Sequence, residues 1–243
     1  MRAMTFAKRC MKEILRDPLN LFFGLGFPLV LLLLLSVIQS NIPVEMFEIT
    51  ALTPGISVFG LSFLTLFAST LVAKDRESAF LERLFTTPLK PFDFILGYML
   101  PILPIAIGQS TFCYLAAFPL GLEMNINILY AIICILPMAL FNIALGLLCG
   151  SLLGVKQVGG LCGALLTNLS GWLSGVWFDL ELVGGFFEDL ANALPFVHAV
   201  KMEQALCVGD IRLALSHLPI ILLYSIGTTV VAVLCFLRQM KRR

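Results

Sequence analysis

Three observations predict an all-α, polytopic membrane fold. Hydrophobic residues make up 59% of the 243-residue chain and charged residues only 13%, far from the balance of a water-soluble domain. The apolar residues fall in blocks rather than in stripes, and the blocks are long. A helix of about 20 apolar residues crosses the roughly 30 Å of bilayer hydrocarbon with every backbone N–H and C=O satisfied internally, which lipid cannot do for them. The basic residues, finally, gather in a few of the connecting segments.

Six spans are expected, at about 19–39, 52–73, 92–119, 126–153, 158–178 and 217–237. The third and fourth exceed the minimum length, and Pro101, Pro104 and Pro137 predict kinks in them. Residues 1–17 precede the first span and read as a helix lying on the membrane face. Met4, Ala7, Met11, Ile14 and Leu15 share one side of a helical wheel, and Lys8, Arg9, Lys12, Glu13 and Arg16 the other. A basic tail that only sets topology is the simpler alternative. The long charged region, the full-length first span and the lack of a small-x-small cleavage site argue against a secretory signal peptide.

Orientation follows from the positions of the 16 Lys and Arg residues. All but Lys201 and Arg212 fall before the first span, in the 74–90 connection, at Lys156 or at the end of the chain. The positive-inside rule places both termini and the 74–90 segment in the cytoplasm, and the expected location is the cytoplasmic membrane. A net charge of +1 gives no sign of a nucleic-acid partner.

Several classes of chemistry lack their residues. No ionisable side chain falls in the middle of a predicted span, which counts against a proton-driven carrier while leaving sodium coupling through oxygens open. There is no phosphate-cradling glycine loop, no H-E-x-x-H and no G-x-S-x-G. The seven cysteines form no C-x-x-C pair and read as small core residues; no metal site is expected. The acids of the 179–216 segment, Glu203 among them, read as solvated loop acids.

The segment from Lys74 to Lys90 stands out. It is charged and partly amphipathic, yet it lies between two long apolar runs. Phe80, Leu84 and Phe85 suit a buried anchor, and Arg76, Glu77, Glu82 and Arg83 a charged rim that sets register on a partner. A helix lying on anionic lipid is the rival reading. Gly146, Gly150 and Gly154, then Gly171 and Gly175, recur at four-residue intervals and mark close helix packing, in this chain or with a second copy. Gln109, Thr111, Asn142, Asn168 and Ser170 are polar within spans. They line a possible translocation path or, alternatively, make ordinary interhelical hydrogen bonds.

In order and sidedness, the fragments Leu15-Arg16-Asp17-Pro18, Phe27-Pro28, Arg76-Glu77, Leu81-Glu82-Arg83-Leu84, Thr86-Thr87-Pro88-Leu89, Ile95-Leu96-Gly97, Ser174-Gly175-Val176, Leu194-Pro195-Phe196 and His198-Ala199-Val200 resemble the ABC-2 type permeases, the membrane subunits of type V ABC exporters. The resemblance covers nearly the whole chain. It departs at Ser78, Ala79 and Phe80, where family members often carry Gly-Thr after the acidic residue.

The resemblance implies a six-span subunit, paired with a second permease subunit as a homo- or heterodimer and seated on two ABC ATP-binding subunits. ATP and Mg would bind the partner, and no cofactor belongs to this chain. It implies a coupling helix at 74–90 with Arg76, Glu77, Phe80, Leu81, Glu82, Arg83, Leu84, Phe85 and Pro88 at the ATPase. It further implies that 179–216 dips back into the outer leaflet as a gate, with Gly184, Gly185, Phe186, Phe187, Pro195, Phe196 and His198; an ordinary external loop is the alternative. The expected activity is efflux of an apolar or amphipathic cargo (a drug, peptide or lipid-like molecule) by alternating access, not an enzymatic reaction in this chain. An ion-coupled secondary carrier and a non-transporting membrane enzyme or scaffold are the alternatives.

Overall fold

The computed structural model describes residues 2–42, 47–78 and 91–242, and within them every regular element is helical. Among the described residues, five helices are long and apolar enough to cross a membrane: α2 (Pro18–Asn41), α3 (Ile49–Glu77), α4 (Asp93–Leu120), α5 (Asn127–Leu152) and the larger part, Ile211–Arg238, of the last helix. The run expected at 158–178 instead forms a helix over 155–172, α6, with a π-helical turn at Leu161–Leu166. It is not among those five. Lys156, Gln157 and Asn168 dilute its apolarity, and the chain leaves helical geometry at Leu173, before the run ends.

The long spans bend where proline predicts. α4 is interrupted between Met99 and Leu103, around Pro101, and α5 at Ile135, ahead of Pro137. Proline lacks the N–H for the i to i−4 bond and its ring presses on the preceding turn, so the ladder opens there.

α3 is the central helix. Its apolar window is 89% buried, against 22% for α2 and for the last span, so those two present their outer faces to lipid or to another subunit. The close partner of α3 is α5. A Cβ added at Gly146 would lie 2.5 Å from the carbonyl oxygen of Thr65, and one at Gly150 would lie 2.5 Å from that of Ser69. These two glycines therefore serve a packing contact within this chain, with backbone against backbone. Gly171 instead accommodates the Trp177 indole, and Gly154 faces Glu77.

α1 (Arg2–Leu15) packs on protein through a stripe different from the one on the simple wheel. Phe6, Ala7, Cys10 and Ile14 are buried, whereas Met4 and Leu15 are exposed. Phe6 meets the Tyr98 ring edge-on at 4.9 Å, above Gly97, where a Cβ would collide with it. The i, i+4, i+8 spacing of Phe6, Cys10 and Ile14 is a helical face.

After α6 come two short helices, α7 (Leu180–Val183) and α8 (Gly185–Ala193), then α9 (Pro195–Cys207) and the last helix, α10 (Ile211–Arg242). Gly184 and Gly185 hold φ of 60° and 59°, a left-handed backbone that glycine adopts without a Cβ clash. The turn between α8 and α9 packs against the sides of α10 and α5. Tyr224 of α10 donates to the Ala193 carbonyl at 2.8 Å, and Phe196 packs edge-on against Phe141 of α5 at 5.7 Å. From there α9 runs back toward the helix ends, where Gln204 reaches the Ala51 carbonyl at 3.1 Å and Asn125 the Cys207 carbonyl at 3.4 Å.

Candidate functional site: the charged end of the second span

Span α3 does not stop at the end of its apolar run. It continues helical through Glu77, and Lys74, Asp75, Arg76 and Glu77 occupy its last turn. Four successive residues on a helix point about 100° apart, so they reach four directions. Here each direction holds a different element.

Asp75 points inward and is 1% exposed. Arg9 of α1 forks onto both of its oxygens, at 2.5 and 2.7 Å, and Tyr98 of α4 donates its hydroxyl to Asp75 at 2.9 Å. The bidentate, charge-assisted geometry is the strongest pairing that side chains offer a buried carboxylate. Glu13, one turn along α1, also pairs with Arg9 at 2.7 Å. Burial works against the Arg9 charge, but the hydrogen bond and charge of Asp75, with the charge of Glu13, outweigh it and hold the guanidinium above its ordinary pKa.

Arg76 points to the end of α5 and donates to the carbonyls of Ser151 and Leu153, the latter at 2.7 Å. Those carbonyls lie where a helix end leaves acceptors without partners and its dipole favours a cation. Glu77 does the converse at the start of α6: its Oε1 accepts from the Val155 N–H at 2.8 Å, at the positive end of that helix. Lys74 reaches Asp17, the residue that caps the start of α2, at 3.5 Å. One turn of α3 thus ties together α1, α2, α4, α5 and α6.

Residues 2–206 match the family model for the ABC-2 type transporter. The chain belongs to that family. No curated protein matches it. Membership makes it a multi-pass membrane protein and a transport permease, of a kind that works with ABC ATP-binding subunits.

Within this ABC-2 transporter chain the residues expected on the coupling segment divide. Arg76 and Glu77 are described, and both engage other helices of the same chain. Phe80, Leu81, Glu82, Arg83, Leu84, Phe85 and Pro88 lie outside the described residues. Of the basic residues in and just after α1, Arg9 is drawn into the buried pair, while Lys8, Lys12 and Arg16 stay exposed.

The polar residues of the spans do not meet in one cavity. Gln109 is buried and donates to the Ser57 carbonyl at 3.3 Å, beside a Ser57–Ser110 hydrogen bond of 2.9 Å. Asn142 bonds Met138 within its own helix, and Thr65 of α3 donates to its carbonyl at 3.0 Å. Thr111 and Ser170 return to their own helices, at Ile107 and Thr167. Asn168 borders a cleft, a cavity of about 440 Å³ between α2, α3 and α6 lined chiefly by Phe23, Phe27, Phe59, Phe63, Trp172 and Trp177.

The residues expected at the external gate are also spread out. Phe186 is exposed, Phe187 stacks near Phe178 at 6.0 Å, and Pro195 is buried. The Nδ1 atoms of His198 and His217 lie 2.9 Å apart, and the Nε2 of His198 lies 2.8 Å from the Asn192 carbonyl. Because that carbonyl only accepts, His198 carries its proton on Nε2 and accepts from His217 at Nδ1.

Sequence reasoning missed Asp75 and Glu203. Glu203 is not a solvated loop acid: it is completely buried, accepts from Tyr114 at 2.9 Å and leaves Oε1 without a partner among the described residues. Burial pushes its pKa up to about 8, against the smaller lowering by the Tyr114 hydrogen bond. The clue was present in the sequence. Glu203 shares a helical face with Ala199, Val200, Leu206 and Cys207, all of them buried, and a carboxyl on such a face faces the core.

Proposed function

We propose that this chain is the permease subunit of an ATP-driven exporter, with six spans counting α6, in which the 79–90 segment docks on a partner ATPase. Two ATP-binding subunits and a second permease subunit complete the transporter, ATP and Mg act on the partner, and the charged termini face the cytoplasm. The observation that carries the reading is the last turn of α3. A displacement of the segment that follows Ser78 is applied directly to a turn bonded to five other helices. That linkage suits a rigid lever, which moves the cytoplasmic ends together and reorients the spans in alternating access.

The cargo this reading favours is apolar or amphipathic. The cleft bordered by Asn168 is walled by aromatic rings, and rings of that kind bind large apolar groups with little polar help. The hairpin of α8 and α9 is the outer gate on this reading, re-entrant from the external face.

The decisive experiment reverses the charges of Glu82 and Arg83 together and measures ATP-dependent efflux along with ATPase recovery in a gentle-detergent pull-down. The expected outcome is normal expression with efflux lost and the ATPase no longer retained. Efflux that is unchanged in the double variant removes the coupling assignment.

A second reading, a proton-coupled carrier, draws on Glu203, a buried carboxyl that exchanges its proton near neutral pH. It requires transport that persists without any ATPase and collapses with the pH gradient.

A further inference from the structure

A cavity of about 290 Å³ lies where α1 turns into α2, against the end of α3. Its polar wall carries two cations, Arg16 and Lys74, and two carboxylates, Glu13 and Asp17; its floor is Ile14, Phe67 and Leu71. Glu13 is already paired with Arg9 at 2.7 Å, which leaves Arg16, Lys74 and Asp17 to a ligand, and these are not all spent on one another. The Arg16 side chain has no hydrogen-bond or ion-pair partner among the described residues, and Lys74 reaches Asp17 only at 3.5 Å. The cavity is level with the first residue of one span, Pro18, and the last turn of another, so it sits at the boundary between hydrocarbon and headgroups. Beside it Leu15, Leu19 and Phe22 are exposed and lead down the outer face of α2.

We infer that this cavity is a binding site for one phospholipid whose headgroup joins a phosphodiester to a primary amine. Arg16 and Lys74 take the phosphate oxygens, in the geometry for which guanidinium and ammonium groups suit phosphate. The headgroup ammonium donates to Asp17, and the acyl chains lie along Leu19 and Phe22. The match is to a zwitterion. An anionic headgroup leaves Asp17 facing negative charge, since Glu13 is already held by Arg9, and a quaternary amine has no N–H to donate to Asp17. Bound there, the lipid joins α1 to α2 and α3 beside the Arg9–Asp75 pair, which Glu13 links to the cavity.

The test is native mass spectrometry of the full chain in detergent, delipidated and titrated separately with phosphatidylethanolamine, phosphatidylcholine and phosphatidylglycerol. One phosphatidylethanolamine is expected to remain bound, about tenfold more tightly than either of the others. Arg16→Ala should weaken its retention by about tenfold. Thr70→Phe, which fills the cavity and keeps all four charges, should do the same, and Asp17→Asn, which keeps the cap on α2, should erase the preference over phosphatidylglycerol. Equal retention of the three lipids by the unaltered chain overturns the proposal, as does retention untouched by both Arg16→Ala and Thr70→Phe. Displacement of the lipid by millimolar inorganic phosphate also overturns it, since the site would then be one for free phosphate. None of these readings depends on an ATPase.

Discussion

Two buried carboxyl groups, Asp75 and Glu203, stand in opposite circumstances. Asp75 has a guanidinium on both oxygens and a tyrosine hydroxyl besides, so both oxygens are held by partners on two other helices. Glu203 also has a tyrosine hydroxyl but no cation, and one oxygen has no partner. The first arrangement fixes a charge in place and holds three elements in one geometry. The second leaves a carboxyl that is most comfortable with its proton, so its environment responds to pH.

Breaking the clamp has the largest expected effect. Arg9→Ala strands the buried Asp75 charge and should cost about 3–5 kcal/mol, read as a drop in thermal midpoint of the purified chain. The double replacement Arg9→Met with Asp75→Leu should recover most of that loss, because no fully buried charge is left unpaired. A single variant as stable as the double would mean that the pair does not hold these helices together, and the contrast with Glu203 would vanish.

Glu203 supplies the next test. Its folded-state pKa, about 8, is raised above the unfolded carboxyl value, so the folded protein holds the proton to higher pH. Stability attributable to this group is therefore full below about pH 4.3 and is lost as pH rises toward 8. Melting curves across that window should fall with pH for the native chain and flatten for Glu203→Gln, which should be the more stable of the two by about 1 kcal/mol at pH 8 and above. Parallel curves would show that Glu203 does not titrate there.

Glu77→Ala is the smallest perturbation. Removing the acceptor from the exposed start of α6 should cost about 1 kcal/mol, the usual worth of a helix cap, and hydrogen exchange at Val155 should rise before any global change. The same variant should lower the coupling of ATP hydrolysis to efflux without releasing the ATPase.

The membrane fold was legible because its rule is local. A backbone in lipid must bond to itself, so an apolar block of sufficient length is a helix whatever surrounds it. α2, α3, α4, α5 and the last span all lie within a few residues of the runs that predict them, and the prolines mark the breaks at Pro101 and Pro137. The apolar run at 158–178 shows the limit of that rule, since polar residues at both ends of α6 leave it short of the length and apolarity the others have. α1 was legible as an amphipathic helix, but its buried face was not, because the wheel ranks Met4 and Leu15 by hydrophobicity and cannot see that Gly97 offers a notch to Phe6.

By itself, then, the sequence determined the helical membrane architecture, the gathering of basic residues in the connections, and the charged run that breaks the apolar pattern at Lys74, since each depends on composition within one stretch of chain. The tertiary structure alone decided what that run does. Arg9 meets Asp75 across 66 positions, Tyr114 meets Glu203 across 89 and Glu77 meets Val155 across 78. Whether a buried carboxyl is clamped or left to titrate depends on which distant helix is brought beside it, and that is settled by close packing such as the backbone contact of Gly146 and Gly150 on α3.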